Sequence, residues 1–270
     1  MPSLKIGIGV LGEHEKVVAS VRGSRCPSRA VVYCRPGELV QADTIEIVED
    51  PDPGEALVRD LFQGKIHAAV RGTLPSNSTL SALKRVAGVE CLERAALLET
   101  GDGRKFLLAP VGVDEGWTVQ EKVSLARKSE RLARTLGLRE GVSILSGGRL
   151  GDAGRHPRVD ESMAQAELVA RLSGAHHSEI LIENAVNEAG VIIAPDGISG
   201  NLIFRTLTFL GSGHGHGAPV LNIDRIFVDT SRASPDFINA LHLADFLSNR
   251  QKVNLNNPFQ EKGHNIVKKV

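Results

Sequence analysis

Short apolar runs rich in β-branched residues alternate along this chain with stretches of helical period, and that alternation restricts the fold more than any other feature. Leu4 to Val10 reads as a strand, and Glu13 to Val21 as a helix with Val17, Val18 and Val21 on one face. Ala30 to Tyr33, Thr44 to Val48 and His67 to Val70 read as further strands, and Pro53 to Gln63 and the stretch from Ser78 through Val86 as helices. Strands separated by helices pair in parallel, and parallel sheets gather ligands at the carboxyl ends of their strands. The expected class is therefore α/β with largely parallel sheets.

The second half repeats the pattern after one interruption. Leu92 to Leu98 and Lys105 to Val111 read as a hairpin about Thr100–Gly103, which marks a second domain. Thr118 to Leu136 is the clearest helix, stopped by Gly137. Val142 to Leu145 is read as a buried strand and Pro157 to Leu172 as a helix, with the glycine-rich run SGGRLGDAGRH between them. Glu179 to Ile182 and Val191 to Ala194 are read as strands, the latter leading into the turn PDGISGN and a helix from Leu202 to Leu210. Ile226 to Asp229 reads as a strand and Ser234 to Phe246 as the last helix, with Ser234 as N-cap and Pro235 at its first position. From Asn249 the chain is polar and is read as partly disordered.

Chemistry concentrates at the turns after these strands. In the run from Ser146 to His156, Gly147, Gly148, Gly151 and Gly154 leave backbone N–H groups open to an anion, and Arg149, Arg155 and His156 offer charge or donors. The run matches neither GxxxxGK[ST] nor GxGxxG, so it is read either as an anion site or as an ordinary glycine-rich connection, with no nucleotide implied. Asp229, Ser231 and Arg232 stand between a strand and a helix, where a hydroxyl and a guanidinium can converge on an oxyanion; the plain alternative is a finished turn with a solvated arginine. Arg71-Gly72-Thr73 ends another strand. His214 and His216, flanked by glycines, are read as part of a flexible loop, and His176-His177 as capping or surface groups. No metal site is expected.

Composition narrows the partners. Lys plus Arg and Asp plus Glu balance at 32 each, so net charge encodes no attraction to nucleic acid or to an anionic membrane. Aromatic residues are 4%, too few for base-stacking platforms. Cys26, Cys34 and Cys91 form no CxxC or Cys/His cluster and are read as thiols of a reducing cytoplasm. No apolar run approaches membrane-spanning length, and no GxSxG elbow signals a covalent serine intermediate.

Taken in order, these motifs resemble the phosphate acetyl/butyryl transferase superfamily, and most closely its MtxX group, also called methanogenesis marker protein 4, which carries a methyltransferase label. IGIGVLGEHEKVVASV is similar to the first βα unit of that superfamily, HAAVRGT to its ADALVSGA turn, and ILSGGRLGDAGRHPRVDE to its LSxSxxGSAxHPxVDK loop. ILIENAV resembles LxLDNAV, PDGISGN resembles PDxxAGN, and IFVDTSR resembles NDLSRG. PDGISGNLIFRTL also resembles a segment of PlsX-type acyl-phosphate synthases.

The resemblance implies two α/β domains of isocitrate/isopropylmalate dehydrogenase-like type, with the active site in the interdomain cleft of a homodimer. On this chain it implies a discontinuous first domain of residues 1–87 and 222–270 and a second of residues 88–221. It assigns Ser231 and Arg232 to the phosphate or acyl phosphate, and Ser146, Gly147, Gly148 and Arg155 to the same cleft with Asp229. Asp196, Gly200 and Asn201 would shape its floor. No cofactor is expected to be bound, and a thiol coenzyme, coenzyme A or coenzyme M, would be the co-substrate. Two departures stand out: Arg71 replaces a serine of the superfamily pattern and adds a cation to the cleft, and the stretch after Arg232 is one residue shorter, leaving Asp236 as the carboxylate that takes the thiol proton. The expected function is a cytoplasmic transferase acting on a small anion and associated with methanogenesis. A methyltransferase, as the group's label implies, and a non-catalytic anion-binding or assembly protein are the alternatives.

Overall fold

The computed structural model describes residues 4–39 and 45–256, in which the chain builds two six-stranded sheets. The first half supplies β1 (Lys5–Gly9), α1 (His14–Ser24), β2 (Arg29–Cys34), β3 (Glu46–Glu49), α2 (Pro53–Phe62), β4 (Ala68–Val70) and α3 (Ser76–Ala87). Then follow β5 (Ala96–Glu99), β6 (Lys105–Ala109), α4 (Val119–Leu136), β7 (Val142–Ile144), α5 (Pro157–Ser173), β8 (His176–His177), α6 (Ile182–Glu188), β9 (Val191–Ile193) and α7 (Gly197–Arg205). A π-helical turn, Thr206–Leu210, leads to β10 (His214–Gly215), β11 (Ala218–Pro219), β12 (Ile226–Asp229) and α8 (Ile238–Asn256).

The first sheet has the order β11-β12-β4-β1-β2-β3, parallel throughout except for the β11/β12 pair. Successive residues of β2 show the period of two: Val31 and Tyr33 pack with Leu57 and Leu61 of α2, whereas Val32 and Cys34 pack with Val17 of α1 and Leu241 of α8. The second sheet has the order β10-β5-β6-β9-β7-β8, with β6, β9, β7 and β8 parallel and β5 antiparallel to both of its neighbours. Leu107, Val191 and Ile193 meet Val123 and Ala126 of α4 and Val169 of α5; Phe106, Leu108 and Ile192 meet Ala185 of α6 and Phe204 of α7. Burial on both faces explains the continuous apolar runs of these strands. Each sheet with its helices is called a lobe below.

One stretch of chain belongs to both lobes. Residues 214–221 pair with residues 93–99 through His216 N to Leu97 O at 2.8 Å, Leu97 N to Gly217 O at 2.9 Å and Leu221 N to Glu93 O at 2.7 Å. The same stretch, as β11, pairs with β12. The glycine-histidine run is thus a shared strand and not a flexible loop, because backbone pairing on both sides outweighs the low strand propensity of glycine. His216 Nε2 lies 2.8 Å from Glu99 Oε2, and burial lowers its pKa even though that carboxylate pulls the other way.

Four further expectations change. Glu179 to Ile182 is not a strand: Glu179 turns the chain at φ 55°, and Ile182 opens α6. The strand of that region is His176–His177, paired with β7. PDGISGN is no free turn, since Gly197 to Asn201 are the first residues of α7, capped by Asp196 Oδ1 accepting from Ser199 N at 2.7 Å. The last helix starts at Ile238, whose N–H donates to Asp236 Oδ1 at 2.9 Å, so Asp236 takes the capping role assigned to Ser234. That helix continues through Asn256, so residues 249–256 are ordered helix; the rest of the polar C-terminal stretch lies outside the described residues. Among the described residues no helix is long and apolar enough to cross a membrane.

Candidate functional site

A cavity of about 670 Å³ opens between the lobes, at the carboxyl ends of β4, β12 and β6. Arg71, Asp229, Ser231, Arg232 and Asp236 reach it from the first lobe, and Asn201 and Arg205 reach it from α7 of the second. The expected residues Arg71, Asp229, Ser231, Arg232, Asp236 and Asn201 are therefore brought to one place.

Beneath the cavity runs a buried chain of four charges. Asp229 ends β12 and accepts from Arg71 Nε on one oxygen and from Arg94 Nη1, at 2.7 Å, on the other. Arg94 reaches on to Glu115, Nε to Oε1 at 2.5 Å, and Glu115 also accepts from Gly112 N at 3.2 Å. Arg71 completes its contacts on backbone carbonyls, Nη1 donating to Leu74 O at 2.6 Å and Nη2 to Thr230 O. Burial pushes the Asp229 pKa up, but the two guanidiniums outweigh it and leave it below the usual carboxylate range. At Glu115 burial prevails over Arg94, and the pKa is raised. Each of the three guanidinium nitrogens of Arg71 donates to the protein, so this residue braces the end of β12 and the turn after β4.

Local backbone geometry fixes these ends. Gly72 has φ 63°, and a Cβ there would come within 2.1 Å of Gly9 O, so the turn after β4 can lie against the end of β1 only with glycine. Thr73 Oγ1 accepts from Leu11 N at 2.9 Å and donates to Gly12 O at 3.0 Å. Lys16 of α1 holds the loop after β12, Nζ donating to Arg232 O at 2.9 Å and to Ser234 O at 3.1 Å. In the second lobe Gly197 and Gly200 press against the turn after β6: a Cβ would meet Gly112 O at 1.6 Å and Pro110 O at 1.9 Å, respectively. Asn201 Nδ2 donates to Val111 O at 2.9 Å, which locks α7 to that turn. Gly200 thus serves close packing beneath the site, and Asp196 the cap of α7; neither lines the cavity.

The glycine-rich loop after β7 lies apart from this cavity: Ser146, Gly147, Gly148 and Arg155 are not among its lining residues. Four of its backbone donors are taken by side chains. Gly147 N donates to Ser162 Oγ at 2.8 Å, Arg149 N to Asp152 Oδ2 at 2.9 Å, Leu150 N to Glu179 Oε1 at 2.9 Å and Gly154 N to Asp160 Oδ1 at 2.9 Å. Arg155 pairs with Asp152 at 2.6 Å. Buried Ser146 lies 2.9 Å from His177 Nε2, and His177 Nδ1 lies 2.8 Å from Glu167, so His177 is a structural partner of the loop and not a surface histidine.

Arg94, Glu115 and Arg205 belong to the site region but carry no local sequence signal. Arg94 bonds a residue 135 positions away, and only the strand pairing of residues 93–99 with residues 214–221 brings it there. Among the described residues no group of three potential metal ligands forms. Burial raises the pKa of all three thiols, that of Cys34 to about 11, which holds them as inert thiols at neutral pH.

No family model matches the sequence. Solved structures of similar fold include a branched-chain phosphotransacylase from Enterococcus faecalis V583, with TM-score 0.73 and 16% identity over 91% of this chain and 99% of that one. A phosphotransacetylase from Streptococcus pyogenes aligns with TM-score 0.65 and 17% identity, over 92% and 94%. The architecture is the phosphotransacetylase fold. Among sequence relatives, "Uncharacterized methyltransferase" of Methanopyrus kandleri is 39% identical, over 89% of this chain and 98% of its own. "Putative methyltransferase mtx subunit X" of Methanosarcina acetivorans is 47% identical over 257 residues, 92% of this chain and 91% of its own. With identity of that size over nearly the full length, the chain belongs to the mtx subunit X family.

Proposed function

We propose that the interlobe cleft binds a small anionic substrate and transfers a group from it to a thiol coenzyme, in the setting of methanogenesis to which the family's organisms point. The observation that carries the reading is the convergence of Ser231, Arg232 and Asp236 of one lobe with Asn201 of the other on a single cavity. Arg232 lies within the loop held by Lys16 and faces open space, so its guanidinium is free to take phosphate oxygens. Ser231 Oγ accepts from Ala233 N at 3.3 Å, which leaves its own proton for an anion oxygen. Asp236 uses one oxygen on Ile238 N and keeps the other for a proton.

In the acyl-phosphate form of the reaction the thiol sulfur bonds to the acyl carbon and its proton passes to Asp236. The carbon–oxygen bond to phosphate breaks, and the departing phosphate keeps that electron pair beside Arg232. The names of the sequence relatives favour a second reading, methyl transfer. There the sulfur bonds to a methyl carbon, the bond from that carbon to its donor molecule breaks with the electron pair leaving on the donor, and Asp236 again takes the thiol proton.

Thermal shift with phosphate, acetyl phosphate, coenzyme A, coenzyme M and S-adenosylmethionine tests both readings. A ligand at a hundredfold its dissociation constant adds about 2.7 kcal/mol. Stabilisation by phosphate or acetyl phosphate and by one thiol coenzyme, with the anion response lost in Arg232→Ala, supports group transfer from an anion. Stabilisation by S-adenosylmethionine alone selects methyl transfer. Silence toward all five compounds removes both readings in favour of an assembly protein.

A further inference from the structure

The cationic side chains of the cleft are not equally available. Arg71, Lys84, Arg94, Arg205 and Arg232 all line it. Asp229 and Glu115 engage Arg71 and Arg94, and Lys84 Nζ lies 3.6 Å from Asp114 Oδ2. Among the described residues neither Arg205 nor Arg232 forms a salt bridge. These two guanidiniums come from opposite walls: Arg232 follows β12 in the first lobe, and Arg205 ends α7 in the second. Arg205 is also held in place, its Cζ lying 5.2 Å from the centroid of Phe209, which sits in the π-helical turn directly after it. Phe204, its neighbour along α7, lines the cavity with apolar surface.

A single compact anion seated on Arg232 would leave Arg205 facing the cavity without a counter-charge. We propose that the ligand of this cleft carries two anionic groups at opposite ends, one held by Arg232 and the other by Arg205, so that it bridges the lobes. The proposal rests on the anion-binding reading of the cleft and narrows its substrate class to a two-headed anion with a short apolar connection. Binding is then coupled to the spacing of the lobes, because each head is fixed to a different sheet.

Calorimetric titration with phosphonates tests it. Methylphosphonate is the one-headed probe; phosphonoacetate, 3-phosphonopropionate and 4-phosphonobutyrate are two-headed probes of increasing reach. The best two-headed probe is expected to bind roughly tenfold more tightly than methylphosphonate, the effect of one charge-assisted pair. That advantage is expected to disappear in Arg205→Gln, whose exposed side chain supports no buried contact. If methylphosphonate binds and no two-headed probe binds more tightly, or if the advantage survives Arg205→Gln, the two-headed ligand is excluded while the anion site stands. If no phosphonate binds, the anion site and the two-headed ligand fall together.

Discussion

Arg94 is the residue on which the site's electrostatics turn, because it is the cation common to a carboxylate from each lobe. Replacing it by methionine strands Asp229 and Glu115 in a buried place with one positive neighbour removed, at an expected cost of about 3–5 kcal/mol in urea unfolding. A loss under about 1 kcal/mol would mean that the pairing is idle. The two carboxylates answer pH in opposite senses. Asp229 titrates lower folded than unfolded, so its contribution is complete above the unfolded value near 4 and vanishes as pH drops through the lower folded value. Glu115 titrates higher folded, so its ionised form opposes folding once pH exceeds the unfolded carboxylate value. Asp229→Asn is therefore expected to be less stable than the wild type at pH about 7, with the gap narrowing below pH about 4; a gap of constant size down to pH about 3 would contradict this origin. None of this was legible in the sequence around Arg94. Ser231 and Arg232 stood out because they follow an apolar strand, whereas Arg94 acquires its meaning from a contact that only the folded topology creates.

At the scale of the element, α7 illustrates how a motif can be visible while its purpose is not. PDGISGN reads as the turn before a helix, and the resemblance puts Gly200 on the cleft floor, yet the spacing of three places Gly197 and Gly200 on the helix face that meets the backbone of residues 110–112. Asp196→Ala, which removes the cap, is expected to cost about 1 kcal/mol. Gly200→Ala sets a methyl against Pro110 O and is expected to cost about 3 kcal/mol, since a carbonyl within a packed turn cannot step aside as a side chain can. Equal losses in chemical denaturation would show that the close approach is not what the glycine is for. Long amphipathic helices such as α4 were legible almost to the residue, down to the stop at Gly137, and the structure adds the capping box of Thr118 and Glu121 at the other end. The short segments were not: Ile180, Leu181 and Ile182 are an apolar run too brief for its period to be read, and Glu179 in the left-handed region sends it into a helix.

Taken whole, the molecule is two sheets that cannot easily come apart, because residues 214–221 are hydrogen-bonded to both. The alternation of strand and helix announced two parallel sheets, but the seam between them runs through the glycine-histidine run, where nothing resembles a strand. The cleft depends on that seam: Arg94 lies on one side of it and Asp229 on the strand paired with it, so separation of the lobes would break their ion pair. One buried cluster takes in Ile8 and Val70 of the first sheet together with Ile144 and Ile193 of the second. The lobes should therefore unfold as one cooperative unit. Native-state hydrogen exchange measures this directly, by comparing the amides of Ile8 in β1 and Ile192 in β9, both fully buried at the centre of their sheets. The expected result is one opening free energy for both, within about 0.5 kcal/mol, and a parallel decline of the two with urea. Faster exchange at Ile192 with Ile8 still protected would mean that the second lobe opens alone, and that the shared strand guides the chain between sheets without binding their stabilities together.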